Sequence, residues 1–215
     1  VSMAQPLSEH TAHHGRLLQL APGARLYRQG EACAHYFMVL EGWVVQSMVT
    51  RDGAVQILDF AVPGHVLGLA SATGPMRHTA QCLTKVRVRA HASAQLPHML
   101  GKDARIGHLL LQAACLNEAR AHHRLVHLGL RDARQRVAQL LVDLYVRVTG
   151  HAPVRAGDSM VLPLTQRHIA QATGLSGEHV NRTLRRLREQ GVLHFTKHRL
   201  HVLDPQALWA VAGHA

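Results

Sequence analysis

Cysteine is scarce in this chain, acidic residues are outnumbered almost two to one by Lys and Arg, and long apolar runs are missing. Each shortage removes a class of protein. Cys33, Cys82 and Cys115 are widely spaced, odd in number and never paired as Cys-x-x-Cys, so zinc or iron–sulfur ligation by cysteine alone is not expected. They read as reduced, partly buried thiols. No run approaches the roughly 20 apolar residues that a membrane-spanning helix needs. The first fifteen residues are polar and His-rich without a hydrophobic h-region, so a cytoplasmic protein is expected rather than an exported one. No catalytic triad, paired carboxylates or metal-ligand spacing stands out, and an enzyme is not expected. Internal repeats and low-complexity tracts are absent as well.

What is present is positive charge. Twenty-four Lys and Arg against thirteen Asp and Glu leave a net charge of +11, with nineteen His counted as neutral. That balance favours a polyanionic partner and salt-dependent binding. Hydrophobic residues make up 47% and charged residues 17%, the texture of a folded chain. At 215 residues there is room for two modest domains, each with its own core.

The most informative stretch is Thr165 to Arg188, TQRHIAQATGLSGEHVNRTLRRLR. Thr165 can N-cap a short helix that places Ile169, Ala170 and Thr173 on one side. Gly174 suits the left-handed stop, and Leu175 can plug the gap before the next helix. Ser176 caps that second helix, with Glu178 in its first turn and Val180, Leu184 and Leu187 on its buried stripe. Two helices joined by a tight Gly-containing turn form a helix-turn-helix, whose second helix presents its early residues to the major groove. The outward positions are Glu178, His179, Asn181, Arg182, Arg185, Arg186 and Arg188. Glu accepts from cytosine N4 and Arg donates twice to guanine; the later arginines suit phosphates. From Gln166 to Arg199 there are seven Lys or Arg against two Glu.

Taken in order, residues 1–15 read as a loose arm. Short β-rich runs follow at Leu17–Leu20, Arg25–Tyr27, Tyr36–Leu40, Trp43–Thr50, Ala54–Ala61, Val66–Leu69 and Ala80–Arg89, with an Asp52-Gly53 hairpin turn. Their spacing predicts an antiparallel barrel or jelly roll across residues 16–101. After a break at Pro97 and Gly101, Asp103–Leu128 is one helical pattern, with a hinge by Asp132, so residues 102–130 form a connecting element. Ile106, Leu109, Leu110, Ala113, Leu116, Asn117 and Arg120 recur at three- and four-residue steps. Such a helix spans close to 40 Å, and its stripe predicts a parallel pair of identical helices, hence a homodimer. The alternative is a helix packed lengthwise on its own domain. Residues 131–215 complete the chain: a helix over Ala133–Thr149 with Val137, Leu140, Leu141, Leu144 and Val148 apolar, a strand at Met160–Leu164, and the helix-turn-helix. Strands at Val192–Phe195 and Leu200–Leu203 then make a wing with Lys197 at its basic tip, placed for phosphate. Pro205–Ala210 reads as a closing helix.

This order of β-roll, long helix, hinge and winged helix-turn-helix resembles the CRP/FNR superfamily of transcription regulators. The residues that carry the resemblance begin with Ala21-Pro22-Gly23, Tyr27, Gln29-Gly30-Glu31, Gly42, Asp52-Gly53, Pro63-Gly64 and Leu67-Gly68. In the C-terminal half they are Arg136-Val137-Ala138, Thr165-Gln166, Ile169-Ala170, Gly174-Leu175-Ser176 and Val180-Asn181-Arg182. The resemblance implies an α+β fold with a cyclic-nucleotide-binding-like β-roll. It also implies homodimers on palindromic operators in double-stranded DNA, an effector sensed in the roll and relayed by the long helix, and RNA polymerase as a partner. Glu178 and Arg182 fall where the family reads bases; Thr165, Gln166 and Arg167 match flanking backbone contacts, and Ser176 a phosphate contact. Gly177 replaces a base-contacting arginine of one branch.

The same resemblance places an effector pocket at Leu67, Gly68, Leu69, Arg77, His78, Thr79, Ala121 and His122. The nucleotide-binding pattern is broken there, since Leu69 stands for the ribose-binding Glu and His78 follows Arg77. Cyclic AMP is therefore not expected. Residues 1–30 hold no cysteine, which excludes the family's [4Fe–4S] sensor. Haem is the cofactor the family leaves open, with His10, His13, His14, His35, His65, His78 and His122 as candidate ligands. A redox role for the three thiols is a further alternative.

Overall fold

The computed structural model describes residues 15–213. Apart from Gly15, the expected arm with His10, His13 and His14 lies outside the described residues. The chain divides into two compact units, one ending at Ala121 and the other beginning at His122.

The first unit is an antiparallel roll of eight strands: β1 (Arg16–Leu20), β2 (Arg25–Tyr27), β3 (His35–Glu41), β4 (Val44–Val49), β5 (Val55–Ala61), β6 (Val66–Leu67), β7 (Thr79–Cys82) and β8 (Val86–Ala92). They form two four-stranded sheets, ordered β1-β8-β3-β6 and β2-β7-β4-β5. In β8 the alternation of period two is plain: Val86, Val88 and Ala90 are buried, while Arg87 and Arg89 point the other way. The run YFMVL of β3 does not alternate, because both of its faces are covered. Phe37 and Val39 pack inside the roll with Tyr27, Val44, Leu67 and Met76. Tyr36 and Met38 pack on the outside against Met99, Ile106, Leu110 and Ala113.

The expected single strand Ala80–Arg89 is two strands in different sheets. Leu83 to Lys85 turn the corner between them, held where Thr84 Oγ1 accepts from the Trp43 N–H at 3.0 Å. Gly42 lies opposite this corner at φ +85°, and a Cβ there would stand 2.3 Å from the Lys85 carbonyl. No other residue fits. The Asp52-Gly53 hairpin forms as expected, closed by the Thr50 N–H donating to Ala54 O at 2.9 Å.

Pro97 does not break a helix; it opens one. Helix α1 (Leu96–Lys102) carries it in the first turn, where the missing N–H has no intrahelical partner to lose. The long helix α2 then runs Ala104–Leu130, two residues beyond the expected end. Its expected dimer seam needs correction. Ile106, Leu110 and Ala113 are buried against Tyr36, Met38, Val66 and Met99 of their own unit, and Leu109 packs on the same cluster. Asn117 Nδ2 donates to the Val66 carbonyl, and Arg120 Nε lies 3.5 Å from the Asp59 carboxylate. The alternative of a helix laid lengthwise on its own domain holds for this stripe. The reason is β3: its outer face would otherwise leave Tyr36 and Met38 in water, and burying each is worth about 2 kcal/mol. Of the expected seam only Leu116 is exposed.

The second unit contains α3 (Ala133–Thr149), β9 (Ser159–Val161), α4 (Gln166–Thr173), α5 (Gly177–Glu189), β10 (Leu193–Thr196), β11 (Arg199–Val202) and α6 (Pro205–Ala212). Asp132 opens α3 with a capping box, accepting from the Gln135 N–H while the Gln135 side chain accepts from its own. Val137, Leu140, Leu141 and Leu144 are buried as expected, whereas Val148 is exposed. The sheet is ordered β10-β11-β9. The expected strand Met160–Leu164 stops at Val161, since Pro163 has no N–H for a ladder; Leu162 and Leu164 are buried regardless.

Candidate nucleic-acid interface

The two helices of the reading head begin where their caps require. Thr165 Oγ1 accepts from the His168 N–H at 3.2 Å, and His168 Nδ1 accepts from the Thr165 N–H at 3.2 Å. A histidine thus fills the place that Glu or Gln takes in most capping boxes. Gly174 ends α4 in the left-handed conformation (φ 65°), its N–H returning to the Ala170 carbonyl. Ser176 Oγ accepts from the His179 N–H at 3.2 Å and starts α5. Val180, Thr183, Leu184 and Leu187 are buried on one side of α5, so its orientation about its axis is fixed.

The opposite side carries the expected readers. Glu178, His179, Asn181, Arg182, Arg185 and Arg186 are all exposed, as are Thr165, Gln166, Arg167 and Ser176. Gln166, Gly177, Glu178, Asn181 and Arg182 line one shallow hollow. Asn181 Nδ2 donates to Gln166 Oε1 at 3.2 Å, tying the two helices across it. Arg185 Nε donates to Glu189 Oε1 at 2.8 Å, and that carboxylate makes its guanidinium hold its proton more firmly. Arg186 and Arg188 occupy the last turn, where positive charge complements the helix dipole.

The wing ends in a two-residue turn at Lys197 and His198, both at positive φ (47° and 59°). Hairpins of this kind favour Asn or Gly at such positions. His198 is held by its own bonds, its Nδ1 3.0 Å from the Leu164 carbonyl and its carbonyl accepting from the Leu162 N–H. Lys197 is exposed at the tip.

Two supporting residues escaped the sequence reading. His168 was legible in principle, three residues after a Thr cap, but His is not the usual partner. Arg136 was matched only as part of a motif; its guanidinium donates to the Arg131 carbonyl at 2.8 Å and the Thr173 carbonyl at 3.3 Å, bracing the end of α4 from α3. No local signal marks a residue whose second acceptor lies 37 positions away.

The expected effector residues divide between a packed interior and the surface. Leu67 belongs to the buried cluster of the roll with Tyr27, Phe37 and Met76. Gly68 is left-handed (φ 78°), and a Cβ there would meet the His35 carbonyl at 2.9 Å. Leu69 begins a short 3-10 turn. Tyr27 Oη and His78 Nε2 are 2.8 Å apart; burial lowers the His78 pKa and raises that of Tyr27, the latter further by nearby Cys33. Thr79 Oγ1 accepts from the Gln29 N–H at 3.1 Å. Arg77, Ala121 and His122 are exposed. Of the other candidate haem ligands, His65 is buried with Nδ1 2.9 Å from the Val62 carbonyl, and His35 is exposed. Among the described residues no helix is long and apolar enough to cross a membrane.

Comparison with known proteins agrees with this geometry. Residues 17–103 match the cyclic nucleotide-binding domain family and residues 135–211 the Crp-like helix-turn-helix domain family. The chain is 28% identical over 201 residues to the nitrogen fixation regulation protein FixK of Bradyrhizobium diazoefficiens, covering 94% of this chain and 84% of that one. It is 26% identical over 197 residues to the transcriptional activator protein FnrA of Stutzerimonas stutzeri, covering 91% and 80%. Among solved structures, FixK2 from Bradyrhizobium japonicum superimposes with a TM-score of 0.81 at 27% identity, covering 92% of this chain and 96% of that one.

Proposed function

The chain belongs to the CRP/FNR superfamily of DNA-binding transcription regulators, and from that premise we propose how it engages its target. It binds a palindromic duplex site as a homodimer in the cytoplasm, with α5 of each protomer in the major groove and the wing tip on the backbone. Glu178 and Arg182 read base edges; Thr165, Gln166, Arg167, Ser176 and Lys197 position the head on phosphates. The observation that carries this reading is the hollow in which Glu178, Asn181 and Arg182 converge beside the start of α4.

The second half of the reading is the pairing surface. With one stripe of α2 covered by its own roll, the face left open carries Leu111 and Leu125, 63% and 66% exposed. Leu111, Cys115, Glu118, His122 and Leu125 recur at alternating four- and three-residue steps, the rhythm of a two-stranded coiled coil. A second copy of the same helix is the occupant that such a rhythm fits. Bound in this way, the protein acts on transcription with RNA polymerase as its partner and has no catalytic step of its own.

The roll supplies the signal input, with Leu67 to Thr79 as its responsive segment. Haem is the alternative input; two of its candidate ligands, His65 and His78, are each bonded to a neighbouring group. A Soret band in the purified protein would favour it. Selection of operators from randomised duplexes tests the reading of bases. Wild-type protein enriches a palindrome, and Arg182→Ala loses preference at one symmetric pair of positions. Identical selected sites would remove Arg182 from base reading.

A further inference from the structure

The second unit contains a cleft that the DNA-binding reading does not use. Its cavity volume is about 40 Å³, and it lies among the last turns of α2, the middle of α3 and the end of α4. His123 and His127 stand on one face of α2, four residues apart, and their Nε2 atoms share a hydrogen bond at 3.1 Å whose proton an ion would displace. Two imidazole nitrogens binding one ion at 2.0–2.1 Å and separated by that distance subtend about 100° at the ion, between the octahedral and tetrahedral angles. The rings cross at 77° with centroids 4.2 Å apart, so they converge edge on rather than stack.

The second observation concerns Gln139, which lines the same cleft from α3. Its side chain is only 6% exposed, and its Oε1 has no hydrogen-bond partner. A buried carbonyl oxygen left bare costs about 1–3 kcal/mol, and a cation or a water held by one would repay it. An anion would not. Two arginines line the cleft, yet their guanidinium groups are committed: Arg136 to the Arg131 and Thr173 carbonyls, and Arg124 to Asp143 at 3.9 Å, a carboxylate that Arg147 also holds from outside the cleft at 2.7 Å. Among the described residues no group of three His, Cys, Asp or Glu is gathered for a metal, so an ion here would have two imidazoles only, with the Gln139 carbonyl and water as its remaining donors.

We propose that His123 and His127 chelate a divalent transition-metal ion of the zinc, nickel and copper class through their Nε2 atoms in this cleft. Imidazole suits these ions, while the hard cations calcium and magnesium prefer oxygen. A chelate across positions i and i+4 fixes the last turns of α2, and an oxygen from α3 ties them to the helix that braces α4. The site would thus act on the reading head from within its own unit, independently of how the head contacts DNA.

Zinc is the probe. The full chain is stripped with chelator and titrated calorimetrically, with His10, His13 and His14 changed to Asn in every sample to silence that cluster. The expected result is one zinc per chain and a rise in thermal midpoint on loading. His123→Asn and His127→Asn each weaken zinc binding about tenfold or more by removing one arm of the chelate and abolish the rise; His98→Gln, outside the cleft, changes neither. Magnesium at the same concentration gives no heat. Unchanged zinc affinity in either cleft variant overturns the proposal. So does a cleft that takes inorganic phosphate and leaves zinc unbound.

Discussion

Arg182 lies one turn beyond Glu178 on the exposed face of α5, and among the described residues it has no acidic partner within ion-pair distance. Arg185, three residues on, is bonded to Glu189. That difference leaves the Arg182 fork, and not the Arg185 fork, without a carboxylate to hold it. Arg182→Ala should weaken operator binding by about 1–3 kcal/mol and relax one base position, measured by titration against the selected palindrome and its single-position variants. His168 offers a second test at this scale. Its Nδ1 serves as an acceptor for the Thr165 N–H, so the folded state prefers the neutral ring. Burial lowers its pKa first, with Arg167 and His198 adding to the effect. The unfolded chain binds this proton at the ordinary value of 6.5, and the folded chain resists it. The His168 contribution is therefore complete above the ordinary value and is lost as pH falls through it towards the depressed one. Denaturation at pH 7.5 and 5.5 should show the loss, and His168→Gln, which keeps an acceptor without titrating, should make it smaller.

At the scale of the element, the wing shows a local cost kept for a purpose. Lys197 and His198 sit in the left-handed region, which penalises side chains with a Cβ by about 1–2 kcal/mol per residue. Glycine at 197 would relieve that strain but remove a cation from the tip. Lys197→Gly should thus raise unfolding free energy by about 1 kcal/mol while weakening DNA binding at low salt. Denaturant unfolding and duplex titration on the same sample separate the two effects. Loss of stability would mean that Lys197 has a structural partner instead. The start of α4 makes the opposite trade, with both its cap and its box partner satisfied.

For the molecule as a whole, the two faces of α2 have different duties. One is spent on the roll through Ile106, Leu110 and Ala113; the other leaves Leu111 and Leu125 in water. A charge at Leu110 would therefore damage the roll and say nothing about pairing. Leu111→Glu and Leu125→Glu carry the informative change: each should shift the protein to monomer in sedimentation velocity with the β-rich circular dichroism intact, and each should cost operator affinity more than the loss of any single base contact. A dimer that survives both would place the seam off this face.

The sequence by itself determined whatever depends on neighbours in the chain. The caps at Thr165 and Ser176, the left-handed stop at Gly174, the hairpin at Asp52-Gly53 and the exposed face of α5 all rest on contacts within a few residues, and each lies where the residues put it. The order of elements carried the resemblance to the CRP/FNR superfamily for the same reason. Only the tertiary structure decided which stripe of α2 meets the roll, because the helix offers apolar residues on more than one side and the choice belongs to Tyr36 and Met38, some 70 residues earlier. It likewise split Ala80–Arg89 between two sheets, committed His78 to Tyr27, and brought Gln139 beside His123 and His127. Periodicity says that a face will be buried; what buries it is settled by packing between segments that the linear order keeps apart.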